Sequence, residues 1–245
     1  MSILIGITGA IGSGKTTFSD FLAAAEPSHT IYETWHVVGE IATAFNQALK
    51  AELEFETFKN KLELANQALI WLPDAISEYT HFDLTWNQLA ITKRDQLENS
   101  ALYEKLWIYL DHVSKNPSLL NTTITTANKE TYRPLLQWVG AYLVAKASKT
   151  IWYDEIFRRI ELRDKDTNLV IINGVRYPSD AEIVRKHGGK IIEIVRPQAK
   201  DKVQDPTESS RNEIEADVII RNEGNLDDLA QQAYDLLNNL KSRWD

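Results

Sequence analysis

A glycine-rich segment near the start of the sequence constrains the fold of this chain more than any other feature. It reads Gly9-Ala10-Ile11-Gly12-Ser13-Gly14-Lys15-Thr16, a full match to the pattern G-x-x-x-x-G-K-[ST]. The apolar run at 3–7 comes directly before it, and a helix-compatible stretch at 16–25 follows. A strand, this loop and a helix, in that order, form a phosphate-binding loop (P-loop), so the sequence predicts a nucleotide-binding site.

The residue types in the P-loop explain how it binds phosphate. Glycines let consecutive backbone N–H groups turn inward around a triphosphate, and the helix N-terminus adds the positive end of its dipole. Lys15 can reach the β- and γ-phosphates, and the Thr16 hydroxyl can bind Mg²⁺. We expect the nucleotide to contact Gly9 to Thr17. Since no His/Asp/Glu cluster has metal-ligand spacing, Mg²⁺ is expected to arrive with the nucleotide.

Composition and charge limit the class of protein. The chain has 245 residues, enough for one α/β domain with a sizeable insertion or for two small domains. It has no cysteine, which excludes disulfides, thiolate metal sites and cysteine nucleophiles. A net charge of −8 favours a free nucleotide over a nucleic acid as substrate. Neither a membrane-spanning run nor a signal-type N-terminus is present, so we expect a cytoplasmic protein without a membrane partner.

Hydrophobic periodicity predicts strands towards both ends of the chain and helices in the middle. The predicted strands cover 3–7, 30–32, 168–172, 190–195 and 217–220. The predicted helices cover 16–25, 37–53, 94–113, 131–147, 151–162, 179–187 and 225–240, with a further helical pattern at 58–72 and a loop at 117–128. This order predicts a single domain, with a parallel-sheet core of about 1–36 and 148–245 and a helical insertion of about 37–147.

Three arginines stand where phosphates are expected. Arg176 follows the predicted strand 168–172, Arg196 follows the next strand, and Arg133 opens a helix. Ligands of parallel sheets bind at the carboxyl ends of strands, which favours a functional role over a solvated surface charge. The polar segment 196–215, which also carries Lys200, Lys202 and Arg211, predicts a lid that closes over phosphates; the alternative is an ordinary surface loop.

Aromatic side chains concentrate in the predicted helical insertion and at its borders. A nucleobase would stack well on a tryptophan there, although bulky side chains at helical spacing usually belong to the core. The tryptophans concerned are Trp35, Trp71, Trp86, Trp107, Trp138 and Trp152.

Several segments together resemble the bacteriophage-type deoxynucleoside monophosphate kinases, a branch of the P-loop nucleotide kinases. They are Gly9 to Thr17, 44–50, Arg133-Pro134-Leu135-Leu136-Gln137-Trp138-Val139-Gly140, Ile151-Trp152, 170–178, 188–197, Thr207-Glu208 and 217–229, the last containing Asn222-Glu223-Gly224-Asn225-Leu226. The carboxyl-terminal third carries the most specific match. Residues 54–130, which would hold much of the pocket for the acceptor base, match poorly.

The resemblance implies a three-layer P-loop kinase fold that phosphorylates deoxynucleoside 5′-monophosphates (dNMPs) with ATP. The P-loop and Lys15 would hold ATP, and Asn222 and Gly224 would lie near the adenine. Arg133 and Gln137 would face the phosphate of the acceptor. Arg176 and Arg196 would stabilise the transferring phosphoryl group. A homodimer is also implied, in the host cytoplasm if the chain is phage-encoded.

One departure from the family concerns the run Gly174-Val175-Arg176-Tyr177, where Gly174 stands in place of an aspartate. That carboxylate would help to organise Mg²⁺ or the acceptor. Asp154, Asp180 or Glu208 could replace it, water could fill the gap, or an unusual substrate could need the space.

Gly174 and the unmatched middle also keep two alternative functions open. One is a P-loop kinase that acts on a modified base in DNA, which the acidic net charge disfavours. The other is a nucleotide-binding regulator without catalysis. A further possibility is another P-loop small-molecule kinase.

Overall fold

A computed structural model gives the fold and describes residues 2–52, 100–146, 148–197 and 210–242. The chain divides into two compact units: the first comprises Met1–Thr34 and Ile156–Asp245, and the second Trp35–Glu155. The helical pattern predicted at 58–72 and most of the predicted lid lie outside the described residues, as does Glu208. The description as one domain with an insertion at about 37–147 stays a prediction.

Five strands of the first unit form one parallel sheet, which confirms the predicted α/β class. They are β1 (Ile3–Thr8), β2 (His29–Glu33), β3 (Leu169–Asn173), β4 (Lys190–Val195) and β5 (Val218–Arg221), in the spatial order β2-β3-β1-β4-β5. Each agrees with its predicted strand to within one residue. The inner strands β1 and β3 are fully buried and therefore read as apolar runs, whereas the edge strands β2 and β5 are only partly buried.

The described helices follow the predicted ones along the chain. They are α1 (Lys15–Ala25), α2 (Thr34–Glu52), α3 (Ser100–Lys115), α4 (Arg133–Lys146), α5 (Ile151–Arg163), α6 (Pro178–Lys186) and α7 (Leu226–Lys241). The helix α2 begins three residues before its predicted start because Thr34 continues from β2 without a connecting loop. The predicted loop at 117–128 contains a short 3₁₀ helix, Pro117–Asn121, which opens on a proline and buries Leu120.

Helices cover both faces of the sheet in the first unit. On one face, Ile5 and Ile7 of β1 are buried in a cluster with Phe18 of α1 and apolar residues of α7. On the other face, α6 packs against β1 and β4, and a Cβ atom at Gly6 would touch Val184 of α6 at 3.4 Å. These three layers bury all six residues of β1. They hold its carboxyl end, where the P-loop begins, in a fixed position.

The second unit is built around buried aromatic side chains. Trp138 of α4 is fully buried, and its ring centroid lies 5.1 Å from that of Phe45 and 5.3 Å from that of Tyr142. Tyr109 of α3 donates a hydrogen bond of 2.5 Å to Asn46 of α2, and burial raises the pKa of its phenol. In the described part of the chain, no helix is long and apolar enough to cross a bilayer.

A buried carboxylate links the carboxyl-terminal ends of α1 and α7 in the first unit. Glu26 follows α1 and accepts from Lys241 Nζ at 2.7 Å and from Asn168 Nδ2 at 3.1 Å. The hydrogen bond from Lys241, followed by the one from Asn168, lowers the pKa of Glu26 below its ordinary value of 4.5. A carboxyl group with a lowered pKa stabilises the fold above its ordinary pKa and loses that effect as the pH falls.

We expect Glu26→Gln to lower the melting temperature at pH 7, because the amide cannot replace the carboxylate that Lys241 contacts. The difference from the unsubstituted chain should shrink as the pH falls below 4.5, where Glu26 of the unfolded chain takes up a proton, and vanish below the lowered pKa of the folded chain. Thermal melts between pH 3 and 8 measure the difference in melting temperature, with substitution of the exposed Glu182 on α6, Glu182→Gln, as the control. A loss of stability that is the same at every pH would contradict this role.

Candidate active site

The P-loop turns through backbone conformations that favour glycine. Gly9, Gly12 and Gly14 have φ angles of 144°, 81° and 100°. A Cβ atom at Gly9 would lie 2.4 Å from the carbonyl oxygen of Ile194, and one at Gly14 would lie 2.5 Å from Asn222 Nδ2. The loop is therefore pressed against the end of β4 and against Asn222, and only glycine permits this close approach.

The end of α1 that faces the P-loop is suited to an anion. The helix begins at Lys15 with no side-chain cap and no acidic residue in its first turn, so its first N–H groups are not occupied by a carboxylate. Lys15 Nζ donates to the carbonyl oxygens of Gly9 at 2.7 Å and Ala10 at 2.8 Å, which holds the ammonium group over the loop. Thr16 is exposed in the first turn. These groups fit the phosphates of a nucleotide and its metal ion.

Asn222 positions the loop itself. It follows β5 directly, is 8% exposed, and donates from Nδ2 to the carbonyl oxygen of Ser13 at 2.8 Å. Its own backbone N–H donates to Val195 at 2.8 Å, so the loop is tied to the ends of two strands. Gly224 is exposed two residues later, in the turn before α7. Their predicted place near the adenine stays a prediction.

Two of the predicted arginines lie at the carboxyl edge of the sheet. Arg176 comes three residues after β3 and Arg196 directly after β4, and these strands are the two neighbours of β1. Both side chains are exposed, and neither makes an ion pair within the ranges that the structure describes. The P-loop therefore leaves the sheet with an arginine-bearing segment on each side; the sequence predicted the strand ends but not this strand order.

Other charged residues of the predicted site have structural partners. Asp180 accepts from the backbone N–H groups of Arg176 and Tyr177, both at 3.1 Å, and so caps α6. Asp154 accepts from Thr150 Oγ1 at 2.7 Å in the second unit. Arg211 is buried, with Nη1 at 3.5 Å from Glu193 on β4. These contacts give each of the three side chains a role in holding local structure.

A polar chain that sequence reasoning missed runs beneath the P-loop. Ser19 of α1 donates to Asn173 Oδ1 at 2.6 Å, and Asn173 Nδ2 donates to Glu33 Oε1 at 3.3 Å. Asn173 ends β3 and Glu33 ends β2, and the two residues are paired in register. Thr16 precedes Ser19 by three residues on α1 and is exposed, whereas Ser19 is fully buried.

Comparison with known families identifies the family of the chain. The family model described as deoxynucleotide monophosphate kinase matches residues 3–233, nearly the whole chain. The chain belongs to the deoxynucleotide monophosphate kinase family. This kinase is a phosphotransferase that phosphorylates deoxynucleoside monophosphates with ATP, as the resemblance implied. A search of curated proteins gives no match. Nothing in the described residues favours the DNA-directed or the non-catalytic alternative.

Gly174 of the kinase, where the resemblance implies an aspartate, has a left-handed conformation. Its φ angle is 80°, and a Cβ atom there would meet no atom within 4 Å. Space is therefore available for a side chain, and backbone strain is what opposes one.

The acceptor residues predicted for the kinase lie in its second unit. Arg133 and Gln137 are both exposed and, four residues apart, share a face of α4. Arg133 Nη1 lies 2.8 Å from Glu130 Oε2, an exposed pair that an incoming phosphate could displace at little cost. Trp138 and Trp152 are buried, and Trp35 is half-buried; Trp71 and Trp86 lie outside the described residues.

We expect Gly174→Ala to lower the free energy of unfolding by about 1–2 kcal/mol, because alanine strains the left-handed backbone. Gly140→Ala is the matched control. Gly140 lies within α4 and has open space at its Cβ position, so alanine there should stabilise the chain by about 0.5–1 kcal/mol. Chemical denaturation of the three proteins measures both effects. Equal stability of Gly174→Ala and the parent chain would show that the backbone adapts without strain.

Proposed function

We propose that the kinase binds ATP with Mg²⁺ at the P-loop and transfers the γ-phosphoryl group to a free dNMP. An oxygen of the acceptor phosphate bonds to the γ-phosphorus as the bond to the β–γ bridging oxygen breaks, which yields a diphosphate and ADP. The observation that carries this proposal is the start of α1, uncapped and free of acids beneath a glycine loop. The N–H groups of its first turn can donate to phosphate oxygens without displacing a side chain.

Positive charge around the moving phosphoryl group supplies most of the catalysis. Lys15 would exchange the carbonyl oxygens of Gly9 and Ala10 for phosphate oxygens, and this substitution keeps its ammonium group fully hydrogen-bonded. Arg176 and Arg196 extend from the two strands beside β1 and would neutralise charge that develops in the transition state. Their exposure supports this role, because no ion pair with a described residue must be broken first.

The second unit would bind the acceptor phosphate through Arg133 and Gln137. A guanidinium group can form two parallel hydrogen bonds to a phosphate, and the Gln137 amide adds a donor on the same helix face. The compartment of this reaction would be the cytoplasm, where ATP is supplied. The homodimer implied by the resemblance also stays a proposal.

We further propose that Glu33 provides the carboxylate that Gly174 lacks. Mg²⁺ with the nucleotide would neutralise phosphate charge, and the Thr16 hydroxyl is its nearest protein ligand candidate. Glu33 ends β2, two strand spacings or about 10 Å from β1. A glutamate side chain and a metal-bound water can span such a gap. Asn173, held by Ser19, would fix the direction of the carboxylate.

Release of ADP in the presence of Mg-ATP and a panel of dNMPs tests the function. The chain should turn over at least one of dAMP, dGMP, dCMP, dTMP and 5-hydroxymethyl-dUMP. Arg176→Ala should lower kcat by about 10²–10³-fold, since an arginine at the transferring group stabilises only the transition state. The exposed Arg163→Ala at the end of α5 is the control. Unchanged kcat in Arg176→Ala would remove Arg176 from the site.

Substitution of Glu33 tests its role toward the metal. In Glu33→Gln, the amide oxygen can still accept from Asn173, so the fold should persist while the negative charge is lost. We expect the Mg²⁺ concentration that supports half-maximal binding of a non-hydrolysable ATP analogue to rise about tenfold, and kcat to fall. Asp154→Asn, which removes an exposed acid in the second unit, should change neither quantity. An unaltered Mg²⁺ requirement would exclude Glu33 from this role.

A further inference from the structure

The second unit contains an open pocket of about 620 Å³ that none of the predicted phosphate-binding residues lines. One wall is a face of α2, where residues recur at intervals of three and four. The opposite wall is the threonine-rich loop after the 3₁₀ helix. The lining residues are Trp35, His36, Glu40, Thr43, Ala44, Gln47, Thr123, Ile124, Thr125 and Thr126.

The geometry of this pocket is held by hydrogen bonds between its two walls and within the loop. Ile124 N–H donates to Thr43 Oγ1 at 3.3 Å, and Thr43 in turn donates to the Gly39 carbonyl oxygen at 2.8 Å. Asn128 closes the loop, because its Oδ1 accepts from Thr125 N–H at 2.7 Å and its Nδ2 donates to the Thr123 carbonyl oxygen at 2.9 Å. The pocket is therefore preformed in the second unit.

An aromatic surface lies at one end of the pocket. Trp35 is half-buried, and its ring lies 4.1 Å from the His36 ring, centroid to centroid, in a tilted arrangement. Lys129 Nζ lies 4.9 Å from the Trp35 ring centroid, which helps to hold the indole in place by a cation–π contact. An indole that is fixed but still partly accessible is a good stacking surface for a planar ring.

A polar group without a partner lies in the same pocket. Gln47 is half-buried, and its side-chain amide makes no hydrogen bond to any residue that the structure describes. This amide is therefore available to a ligand, and one with both donors and acceptors would pair with it. Thr126, which also lines the pocket, adds a hydroxyl that can donate or accept a hydrogen bond.

We propose that this pocket binds the base of the acceptor dNMP, an inference that rests on the proposed function. A planar heterocycle with donors and acceptors on its edge matches an aromatic wall combined with an unpaired amide. A purely apolar ligand would leave Gln47 unsatisfied. The pocket volume lies within the range of roughly 300–1,000 Å³ that small-molecule sites have, and so has room for a nucleoside.

Trp35 and Gln47 have different parts in this proposal. Trp35 stacks on the face of the base and contributes affinity for every base, because each has a π-face. Gln47 contacts the base edge and contributes discrimination, because a mismatched edge leaves its amide buried and unpaired. The base site thus includes α2 residues that precede the stretch 54–130, where the resemblance implied much of the acceptor pocket.

The first test measures dNMP binding without ATP, by calorimetry, for Trp35→Leu and the conservative Trp35→Phe. Trp35→Leu should raise the Kd of the preferred dNMP about tenfold or more, Trp35→Phe less, and the Kd of ATP should stay within about twofold in both. Deoxyribose 5-phosphate, which has no base, should bind each variant equally. Trp107→Phe, a half-buried tryptophan on α3 outside the pocket lining, is the control.

The second test compares kcat/KM across the dNMP panel for Gln47→Leu, which keeps the side-chain size but removes the amide. The ratio between the best and the poorest base should fall about tenfold, and the exposed Gln231→Leu on α7 should leave it unchanged. An unaltered ratio, together with an unaltered dNMP Kd in Trp35→Leu, would overturn the base-site assignment while turnover by the parent chain upholds the kinase. A parent chain that phosphorylates no dNMP would overturn both.

Discussion

The position of β1 between β3 and β4 is the constraint on which the rest of the first unit depends. Because all five strands are parallel, their carboxyl ends share one edge, and the residues that follow them gather there. The P-loop leaves this edge in contact with the Ile194 carbonyl group, so Gly9 is required by a neighbouring strand as well as by phosphate. A change that moved β4 would therefore move the phosphate site with it.

How well a residue could be predicted depended on the range of the interactions that place it. The inner strands were predicted because burial on both faces leaves a local apolar run. Lys15, Thr16, Arg176 and Arg196 were proposed as site residues because each lies in the motif or follows a predicted strand. Glu33 was not, since a glutamate after a short strand reads as a solvated charge. Its partner Asn173 is 140 residues away, and only sheet register brings the two together.

The same distinction applies to Asn222 and to the predicted replacements for the family acid. Asn222 was assigned to the adenine by resemblance, but its contact with Ser13 is made across 209 residues and could not be read from local pattern. Asp180 was a reasonable candidate by proximity to Gly174 in sequence. The Asp180 carboxylate instead caps α6, because it accepts from the backbone N–H groups of Arg176 and Tyr177, which would otherwise be unsatisfied.

The proposed role of Glu33 would compensate for the aspartate that the resemblance implies at the position of Gly174. The left-handed backbone at Gly174 disfavours a side chain after β3, whereas Glu33 at the end of β2 is aligned by strand pairing. Asn173 and Ser19 are buried and hydrogen-bonded to each other, which orients the Asn173 amide that donates to Glu33. Glu33 lies one strand spacing from the segment that carries Gly174 and two from β1, so in this proposal it would act on Mg²⁺ through water and not on the phosphates directly.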